Sequence, residues 1–353
     1  MRMLCVGGGT AGSVSPLLAM AETVKKRTPD AEVHFLGGQH GPEQRLAEDA
    51  GLFFTAITTT KLRRYLSWRT LLVPVEFVIA FFEALQELRT WRPDVLVSAG
   101  SYVAVPVIWA AALLGIPVLI HQQDIRKGLA NTLTAPFARK ITVTFEQSLK
   151  DFSANKVVCI GNPVRNALVA ADVKNAAQRF GIIGNTKVLL VLGGSSGAVG
   201  LNHMIRTVAP ALLEQYQILH ITGEGKKIDV QHPQYHAIPF LAAEDMANAY
   251  SVADVVVCRA GLSTFSELAA FARATIFVPL PGTHQEENAM FAKKHDAAVI
   301  VHESEGSAVL QQKIKELMED EVKSAALASS LATFYKTDAA DRAAEYIEEL
   351  AHE

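Results

Sequence analysis

The sequence has few of the features that mark secreted, metal-binding or nucleic-acid-binding proteins. Its 353 residues include three cysteines, Cys5, Cys159 and Cys258, and no two of them form a C-x-x-C pair. A disulfide framework or a structural zinc site is therefore not expected. The 33 basic and 36 acidic residues leave a net charge of −3. A general nucleic-acid binder would have a strong basic excess, so no nucleic-acid partner is expected.

One uncharged run raises the question of a membrane span. Residues 95–120 carry no charge and are long enough to cross a bilayer. The alternative is a buried strand–helix–strand unit with its helix over Val103–Leu114, because Gly100, Gly115 and Pro117 stand where turns are needed. These turn residues favour the buried strand–helix–strand unit over a membrane span. No secretory leader is expected either, since the first residues run directly into a glycine-rich loop.

Apolar, strand-like segments alternate with helix-like segments along the chain. Such β-α-β-α order predicts an α/β protein with parallel, doubly wound sheets. The predicted strands are Met3–Val6, Glu32–Leu36, Asp94–Ser98, Pro117–His121, Val157–Ile160, Lys187–Leu192, Ile218–Thr222, Val255–Cys258, Ala274–Val278 and Ala298–Val301. A glycine-rich loop follows the first strand of each half of the chain. We therefore predict two Rossmann-like domains, 1–163 and 164–337, facing across a cleft, and a terminal helix over 338–353.

The first glycine loop fits the G-x-G-x-x-G pattern of dinucleotide-binding proteins with Gly7, Gly9 and Gly12. A NAD site also needs an acidic residue at the end of the second strand. That strand ends in Gly37, and Glu32 lies at its other end, so a NAD cofactor is not favoured. An anion held by backbone N–H groups at a helix N-terminus and a tight turn without any ligand both remain possible interpretations.

The second loop, Gly193–Ala198, adds the hydroxyls of Ser195 and Ser196, which suit a phosphate or diphosphate. Further on, the segment CRAGLSTFSELA (258–269) follows a strand and opens a helix. Its Thr264 and Glu267 have the spacing of a capping box. The functional alternative is that the Glu267 carboxylate accepts hydrogen bonds from ribose hydroxyls. Downstream, Gln285 and Asn288 are suited to sugar hydroxyls, or they belong to a solvated helix start.

The motifs together resemble the MurG family of bacterial UDP-N-acetylglucosamine transferases, which complete lipid II. The resemblance covers nearly the full length and depends on the order and spacing of six segments. They are GGGTAGSVSPLLA (7–19), SAGSYVAVPVIWAAALLGIPVLIHQQD (98–124), GNPVR (161–165), LGGSSGAVGLN (192–202), CRAGLSTFSELA (258–269) and HQEENA (284–289).

The resemblance implies a GT-B fold and an inverting transfer that needs no metal or cofactor. The implied partners are the donor UDP-N-acetylglucosamine and the membrane-bound acceptor lipid I, whose N-acetylmuramic acid 4-hydroxyl attacks the anomeric carbon. Glu267 would hold the ribose, and Gln285 the sugar hydroxyls. The implied donor residues are Arg165, Ser195, Phe240, Leu262, Thr264, Glu267 and Gln285. The acceptor diphosphate would bind at Gly9, Thr10, Gly12 and Ser13, with Asp124 nearby.

The chain departs from the family pattern where the acceptor would bind. Ser13 replaces a histidine, Gln122 replaces a glutamate and Asp124 replaces an asparagine. Neither Ser13 nor Gln122 can accept a proton at neutral pH. Asp124 is therefore a candidate general base, or it pairs with Arg126 or Lys127. His121 is the other candidate base, although a histidine that closes a buried strand is commonly structural.

A basic cluster precedes the apolar segment 71–85 and suggests docking on an anionic membrane surface. The cluster consists of Lys61, Arg63, Arg64 and Arg69, and the side chains expected to insert are Phe77, Phe81 and Phe82. The alternative is a buried helix with a solvated start. The resemblance implies a peripheral protein on the cytoplasmic face of the membrane. Two other functions stay open: another GT-B lipid glycosyltransferase, and a sugar-nucleotide-binding protein without catalysis.

Overall fold

Two separate compact units make up the chain in the computed structural model, which describes residues 1–59, 73–165, 173–193, 198–226 and 228–353. The first unit comprises Met1–Arg165 and Lys336–Glu353, and the second comprises Asn166–Tyr335. Each unit has its own parallel β-sheet with helices packed on it. The prediction of two α/β units of like architecture is confirmed.

The first unit contains a seven-stranded sheet in the order β3-β2-β1-β4-β5-β6-β7, in which every neighbouring pair is parallel. The order places the first strand at the centre, with the chain winding outward in both directions. Its strands are β1 (Arg2–Val6), β2 (Glu32–Gly38), β3 (Phe53–Ile57), β4 (Val95–Ser98), β5 (Val118–Gln122), β6 (Lys140–Val143) and β7 (Val157–Cys159).

The helices of the first unit cover both faces of this sheet. They are α1 (Ala11–Arg27), α2 (Glu43–Asp49), α3 (Val73–Trp91), α4 (Ala104–Leu113) and α5 (Leu129–Thr134). The uncharged run 95–120 forms β4, α4 and β5, and most of the α4 side chains are buried, as the turn residues predicted. In the described part of the chain, no helix combines the length and apolar character needed to cross a bilayer.

The C-terminal segment returns to the first unit as an amphipathic helix. Its apolar side chains, among them Ile347 and Leu350, join the core formed by α1 and the central strands. Glu348 accepts hydrogen bonds from the Arg27 guanidinium, and Arg342 donates to the carbonyl of Cys159 at 3.1 Å. The chain therefore crosses between the units twice, and its last helix stabilises the unit in which the chain starts.

The second unit contains a six-stranded parallel sheet in the order β10-β9-β8-β11-β12-β13. Its strands are β8 (Val188–Leu192), β9 (Gln217–Ile221), β10 (Tyr235–Ile238), β11 (Val255–Cys258), β12 (Ala274–Phe277) and β13 (Val299–Ile300). The described helices that pack on it are α6 (Val173–Arg179), α7 (Val199–Leu212), α8 (Ala243–Val252), α9 (Leu262–Phe271), α10 (Gln285–Lys294), α11 (Ser307–Glu319) and α12 (Glu321–Ala332). The strands β8 and β11 are neighbours from which the chain winds in opposite directions, so ligands are expected at their carboxyl ends.

Candidate functional site

The residues predicted to hold the donor follow strands of the second sheet at its carboxyl edge. Phe240 follows β10, Glu267 lies on the helix after β11, and Gln285 begins the helix after β12. Since all strands are parallel, these loops lie along the same edge of one sheet. Ser195 lies outside the described residues. The loop that holds it follows β8, which adjoins β11.

Glu267 is held by a hydrogen bond from a tyrosine and does not cap its helix. The helix begins at Leu262 with Gly261 as its N-cap residue, so Thr264 is already inside the helix. The capping-box interpretation of Thr264 and Glu267 is therefore wrong. Instead, the buried hydroxyl of Tyr250 donates to Glu267 Oε2 at 2.7 Å. The carboxylate is half-buried at the ligand-binding edge of the sheet.

The two amide side chains in the segment HQEENA (284–289), Gln285 and Asn288, have different surroundings. Gln285 is half-buried, and its Oε1 accepts the backbone N–H of Leu280 at 3.1 Å. Asn288 is almost fully buried, and its Nδ2 donates to the carbonyl of Ala260 at 3.1 Å. Asn288 therefore ties this helix to the loop before Leu262. Its predicted contact with sugar hydroxyls is wrong, whereas Gln285 is placed where a ligand can reach it.

The remaining predicted donor residues contribute in different ways. Leu262 buries its side chain, so only its main chain at the helix N-terminus can face a ligand. Phe240 and Thr264 are half-buried. Arg165 is the last residue of the first unit, and its Nε is buried without a hydrogen-bond partner among the described residues. A buried guanidinium nitrogen without a partner is costly, which is consistent with a role in binding an anion.

An ion pair that was not predicted from the sequence joins loops at the carboxyl edge of the second sheet. Arg259, which is nearly buried, donates to Glu303 and to the carbonyl of Val278 at 2.9 Å. A Cβ at Gly200, in the first turn of the helix after the serine loop, would collide with the Glu303 carboxylate. The pair therefore connects three loops of the carboxyl edge. Its partners lie 44 residues apart in the chain, so spacing gave no signal for it.

The first glycine loop is occupied by a carboxylate of the protein itself. Glu43 is 1% exposed, and its two oxygens accept the backbone N–H groups of Gly9 and Gly38, each at 3.0 Å. A Cβ at Gly8 or Gly41 would collide with this side chain. The glycines therefore leave room for Glu43. The Gly9 N–H already donates to Glu43 in this structure, and its contact with the acceptor diphosphate stays a prediction.

Hydroxyl groups fix the rest of this loop. Ser13 Oγ lies 3.0 Å from the carbonyl of Gly8 and 3.2 Å from that of Thr10, and it can donate to either. Ser101, which follows β4, donates to the same Gly8 carbonyl at 3.0 Å. Thr10 is exposed at the N-cap position of a 17-residue helix, and Gly12 is half-buried in its first turn. The N-terminus of a helix is a position that favours an anion, so the predicted acceptor contacts of this loop lie beside it.

His121 is a structural residue. It has no exposed surface, and its ring nitrogens lie 2.9 Å from Thr142 Oγ1 and 2.9 Å from Asn162 Oδ1. Burial lowers the pKa of His121 to about 4, although the hydrogen bond with Asn162 opposes the shift. The ring is neutral at physiological pH, but no substrate can reach it. The prediction of His121 as a catalytic base is therefore wrong.

Gln122 organises the loop that contains Asp124. Its buried Nε2 donates to the carbonyls of Asp124 and Arg126 at 2.7 and 2.9 Å, and its Oε1 accepts Asn131 Nδ2 at 2.6 Å. A carboxylate has no hydrogen to donate, so the glutamate of the family pattern could not form the first two bonds. Asp124 itself is half-exposed at the carboxyl end of β5, two strands or about 10 Å from the glycine loop.

An apolar helix face is exposed on the first unit. Val75, Val78, Ile79 and Phe82 lie on one side of α3, and they are between 44% and 61% exposed. Phe77 and Phe81 are half-buried instead. Phe77 packs on Trp109 of the neighbouring helix with ring centroids 5.3 Å apart, and Phe81 packs against the core. Further exposed apolar side chains of the first unit are Leu113, Leu129, Leu133 and Phe137. The predicted Arg63, Arg64 and Arg69 lie outside the described residues, as does Lys61.

No metal site is visible in the part of the chain that the structure describes. Among those residues, no three histidine, cysteine, aspartate or glutamate side chains lie together as metal ligands would. The three cysteines are not joined in disulfides, and burial raises the pKa values of Cys5 and Cys258, so these two thiols stay protonated. That the reaction needs no cofactor stays a prediction.

The two Rossmann-like units, with a C-terminal helix that returns to the first, define a GT-B fold. Residues 3–143 match the glycosyltransferase family 28 N-terminal domain, and residues 188–343 match the glycosyltransferase family 28 C-terminal domain. The chain belongs to glycosyltransferase family 28.

Proteins similar to this chain over its full length agree with that assignment. A protein of Acetivibrio thermocellus named UDP-N-acetylglucosamine–N-acetylmuramyl-(pentapeptide) pyrophosphoryl-undecaprenol N-acetylglucosamine transferase is 32% identical, with 99% of this chain and 98% of the relative covered. A Listeria monocytogenes protein of the same name is also 32% identical, with 98% of this chain and 99% of the relative covered. The crystal structure of Acinetobacter baumannii MurG matches with a TM-score of 0.72 and 28% identity, covering 99% of each chain. A Neisseria meningitidis UDP-GlcNAc 2-epimerase has a TM-score of 0.74 at 14% identity, with 99% of this chain and 100% of that chain covered, so this likeness shows the fold alone.

Proposed function

We propose that this protein transfers N-acetylglucosamine from UDP-N-acetylglucosamine to the 4-hydroxyl of the N-acetylmuramic acid of lipid I, which yields lipid II for peptidoglycan synthesis. The observation that carries the proposal is 32% identity over nearly the whole chain to enzymes named for this transfer. The half-buried Glu267 carboxylate at the carboxyl edge of the second sheet supports it independently, because a ribose needs an acceptor of hydrogen bonds at such a position.

The second unit binds the donor in this proposal. Glu267 accepts the ribose hydroxyls, and Gln285 faces the N-acetylglucosamine hydroxyls. Phe240, Leu262 and Thr264 line the same edge. The diphosphate binds at the N-terminus of the helix Val199–Leu212, where the helix dipole and the main-chain N–H groups of the first turn favour an anion, with Ser195 and Arg165 as donors. These groups stabilise the negative charge that develops on UDP as it leaves.

The first unit binds the acceptor. The lipid-linked diphosphate binds at the N-terminus of α1, beside Thr10, Gly12 and Ser13. Asp124 removes the proton of the attacking hydroxyl, since the half-exposed carboxylate follows a strand on the same edge. Glu43 lies on this edge too, but it is buried and already accepts two N–H groups. Asp124 is therefore the carboxylate that a substrate can reach.

The apolar face of α3 docks the protein peripherally on the cytoplasmic face of the membrane, where lipid I is found. Phe82, Val78, Ile79 and Val75 are the inserting side chains, because they are exposed and lie on one side of a helix. Phe77 and Phe81 are half-buried beside this face, where Phe77 packs on Trp109 and Phe81 packs against the core. The basic cluster Arg63, Arg64 and Arg69 precedes α3 in the chain and attracts anionic lipid.

The direct test measures UDP release from UDP-N-acetylglucosamine with lipid I as acceptor. Release that depends on lipid I is the expected result. Donor binding without turnover would instead indicate a sugar-nucleotide-binding protein, and turnover only with another lipid acceptor would indicate a different glycosyltransferase. Either outcome would overturn the proposal.

The donor assignment has its own test in Glu267→Ala. Charge-assisted hydrogen bonds contribute roughly 1.5–3 kcal/mol, so donor affinity should fall about tenfold or more. Glu321→Ala is the matched control, because Glu321 pairs with Lys187 before the amino end of β8, at the opposite edge of the sheet. Unchanged donor affinity in folded Glu267→Ala would remove the ribose role.

A further inference from the structure

Tyr250 is a buried side chain that contacts Glu267, one of the predicted donor residues. Nothing in the sequence pattern pointed to it. It lies on α8, its ring is 1% exposed, and it packs on Phe271 with ring centroids 5.3 Å apart. Its hydroxyl has one described partner, Glu267 Oε2 at 2.7 Å. The two helices that provide this pair flank β11 in the chain, and the bond links residues 17 positions apart.

We propose that Tyr250 is a positioning residue for ribose recognition: its hydroxyl fixes the Glu267 carboxylate in the orientation that accepts the ribose hydroxyls. This inference rests on the proposed binding of the UDP-sugar by the second unit.

The physical argument starts from the flexibility of a glutamate. A half-exposed glutamate on a helix samples several rotamers, and ordering it upon binding costs free energy. The phenol of Tyr250 cannot follow such motion, because its ring is enclosed in the core. A short bond from a fixed donor therefore holds one carboxylate oxygen in place before the ligand arrives, and the ordering cost is met during folding.

Tyr250 is also a donor that does not change with pH in the physiological range. Burial raises the pKa of Tyr250 well above its ordinary value, and the neighbouring Glu267 charge raises it further. The hydroxyl therefore keeps its proton and always donates. A histidine or a water at this position would not provide an equally constant contact.

The test compares Tyr250→Phe with Tyr235→Phe. Both changes delete one buried hydroxyl from the same unit and keep the ring, but the Tyr235 hydroxyl lies 2.9 Å from His220 Nδ1 and has no contact with Glu267. UDP affinity, measured by calorimetry, should fall about five- to twentyfold in Tyr250→Phe and stay at the wild-type value in Tyr235→Phe. The KM for UDP-N-acetylglucosamine should rise by the same factor, with kcat little changed at saturating donor.

A ligand without ribose hydroxyls separates positioning from general damage. Affinity for 2′,3′-dideoxy-UDP should be the same in wild type and Tyr250→Phe, because the lost orientation matters only to hydroxyls. Equal losses for UDP and its dideoxy analogue would overturn the inference. A UDP affinity in Tyr250→Phe equal to that of Tyr235→Phe would overturn it too.

A double-mutant cycle keeps the inference testable if Tyr250→Phe also lowers stability. In the Glu267→Ala background, adding Tyr250→Phe should change UDP affinity by less than twofold, because the residue it positions is gone. Additive losses would refute the positioning role. If the wild-type protein failed to bind UDP at all, the proposed function would fail instead, so the two failures are distinguishable.

Discussion

Replacing Gln122 with glutamate should destabilise the first unit in a pH-dependent manner. The substitution restores the residue of the family pattern, yet only the hydrogen bond from Asn131, one of the three that Gln122 forms, could be kept. The carboxylate oxygen that replaces Nε2 would face the carbonyls of Asp124 and Arg126, which now lie 2.7 and 2.9 Å from a donor. Two hydrogen bonds of about 1 kcal/mol each would be lost. A buried charge beside two carbonyl oxygens adds to this cost, so we expect about 3 kcal/mol or more at pH 8.

The sign of the pH dependence follows from the environment of the new side chain. Burial and acceptor neighbours favour the neutral acid, so the pKa of the introduced carboxyl in the folded state should lie above its unfolded value of about 4.3. The neutral acid can donate one hydrogen bond and restores part of the network. Its contribution is present below the unfolded pKa and is lost as the pH rises through the folded pKa. The variant should therefore be closer to wild type at pH 5 than at pH 8.

Thermal unfolding at both pH values measures this effect. A loss of about 3 kcal/mol lowers Tm by roughly 6–12 °C in a unit of this size. Gln122→Met is the control, because it removes the two Nε2 hydrogen bonds, and the one from Asn131 as well, without adding a charge. Its destabilisation should therefore be equal at pH 5 and pH 8. A glutamate variant as stable as wild type at pH 8, or one with no pH dependence relative to the Met control, would refute the network drawn around Gln122.

Three further predictions concern the acceptor half of the protein. Asp124→Asn should lower kcat by about 10²–10⁴-fold while donor affinity stays unchanged, and wild-type kcat at saturating substrates would exclude the base role. Glu43→Gln places an NH₂ group against one of two backbone N–H donors, so chemical denaturation should show a stability loss of roughly 1.5–3 kcal/mol; wild-type stability would contradict the buried-anion role. Val78→Ser with Phe82→Ser should weaken vesicle binding by roughly 2 kcal/mol or more, whereas Phe53→Ser, which alters an even more exposed phenylalanine on the edge strand β3, should not. Equal losses in both vesicle experiments would point away from α3 as the docking face.

Local sequence determined the architecture because each buried parallel strand is a short apolar run ending in glycine or a polar residue. Ten of the strands were predictable in this way, and the uncharged run 95–120 was correctly resolved by its glycines and proline. The strands that were missed, β3, β6 and β10, have four or five residues. Two of them, β3 and β10, lie at sheet edges and are partly exposed, so their sequences lack the continuous apolar pattern.

The residue types at the carboxyl edges were also readable, because ligand-binding loops follow strands in a parallel sheet. What sequence could not determine was which polar groups satisfy one another. Glu43 lies 34 residues from the glycine whose N–H it accepts, His121 lies 41 residues from Asn162, and Tyr250 lies 17 from Glu267. Local periodicity encodes which face of an element is buried. The pairing of buried donors and acceptors depends on strands and helices that meet only in the folded chain, so the tertiary structure alone decided that His121 is structural, that Glu43 fills the first glycine loop and that Tyr250 holds Glu267.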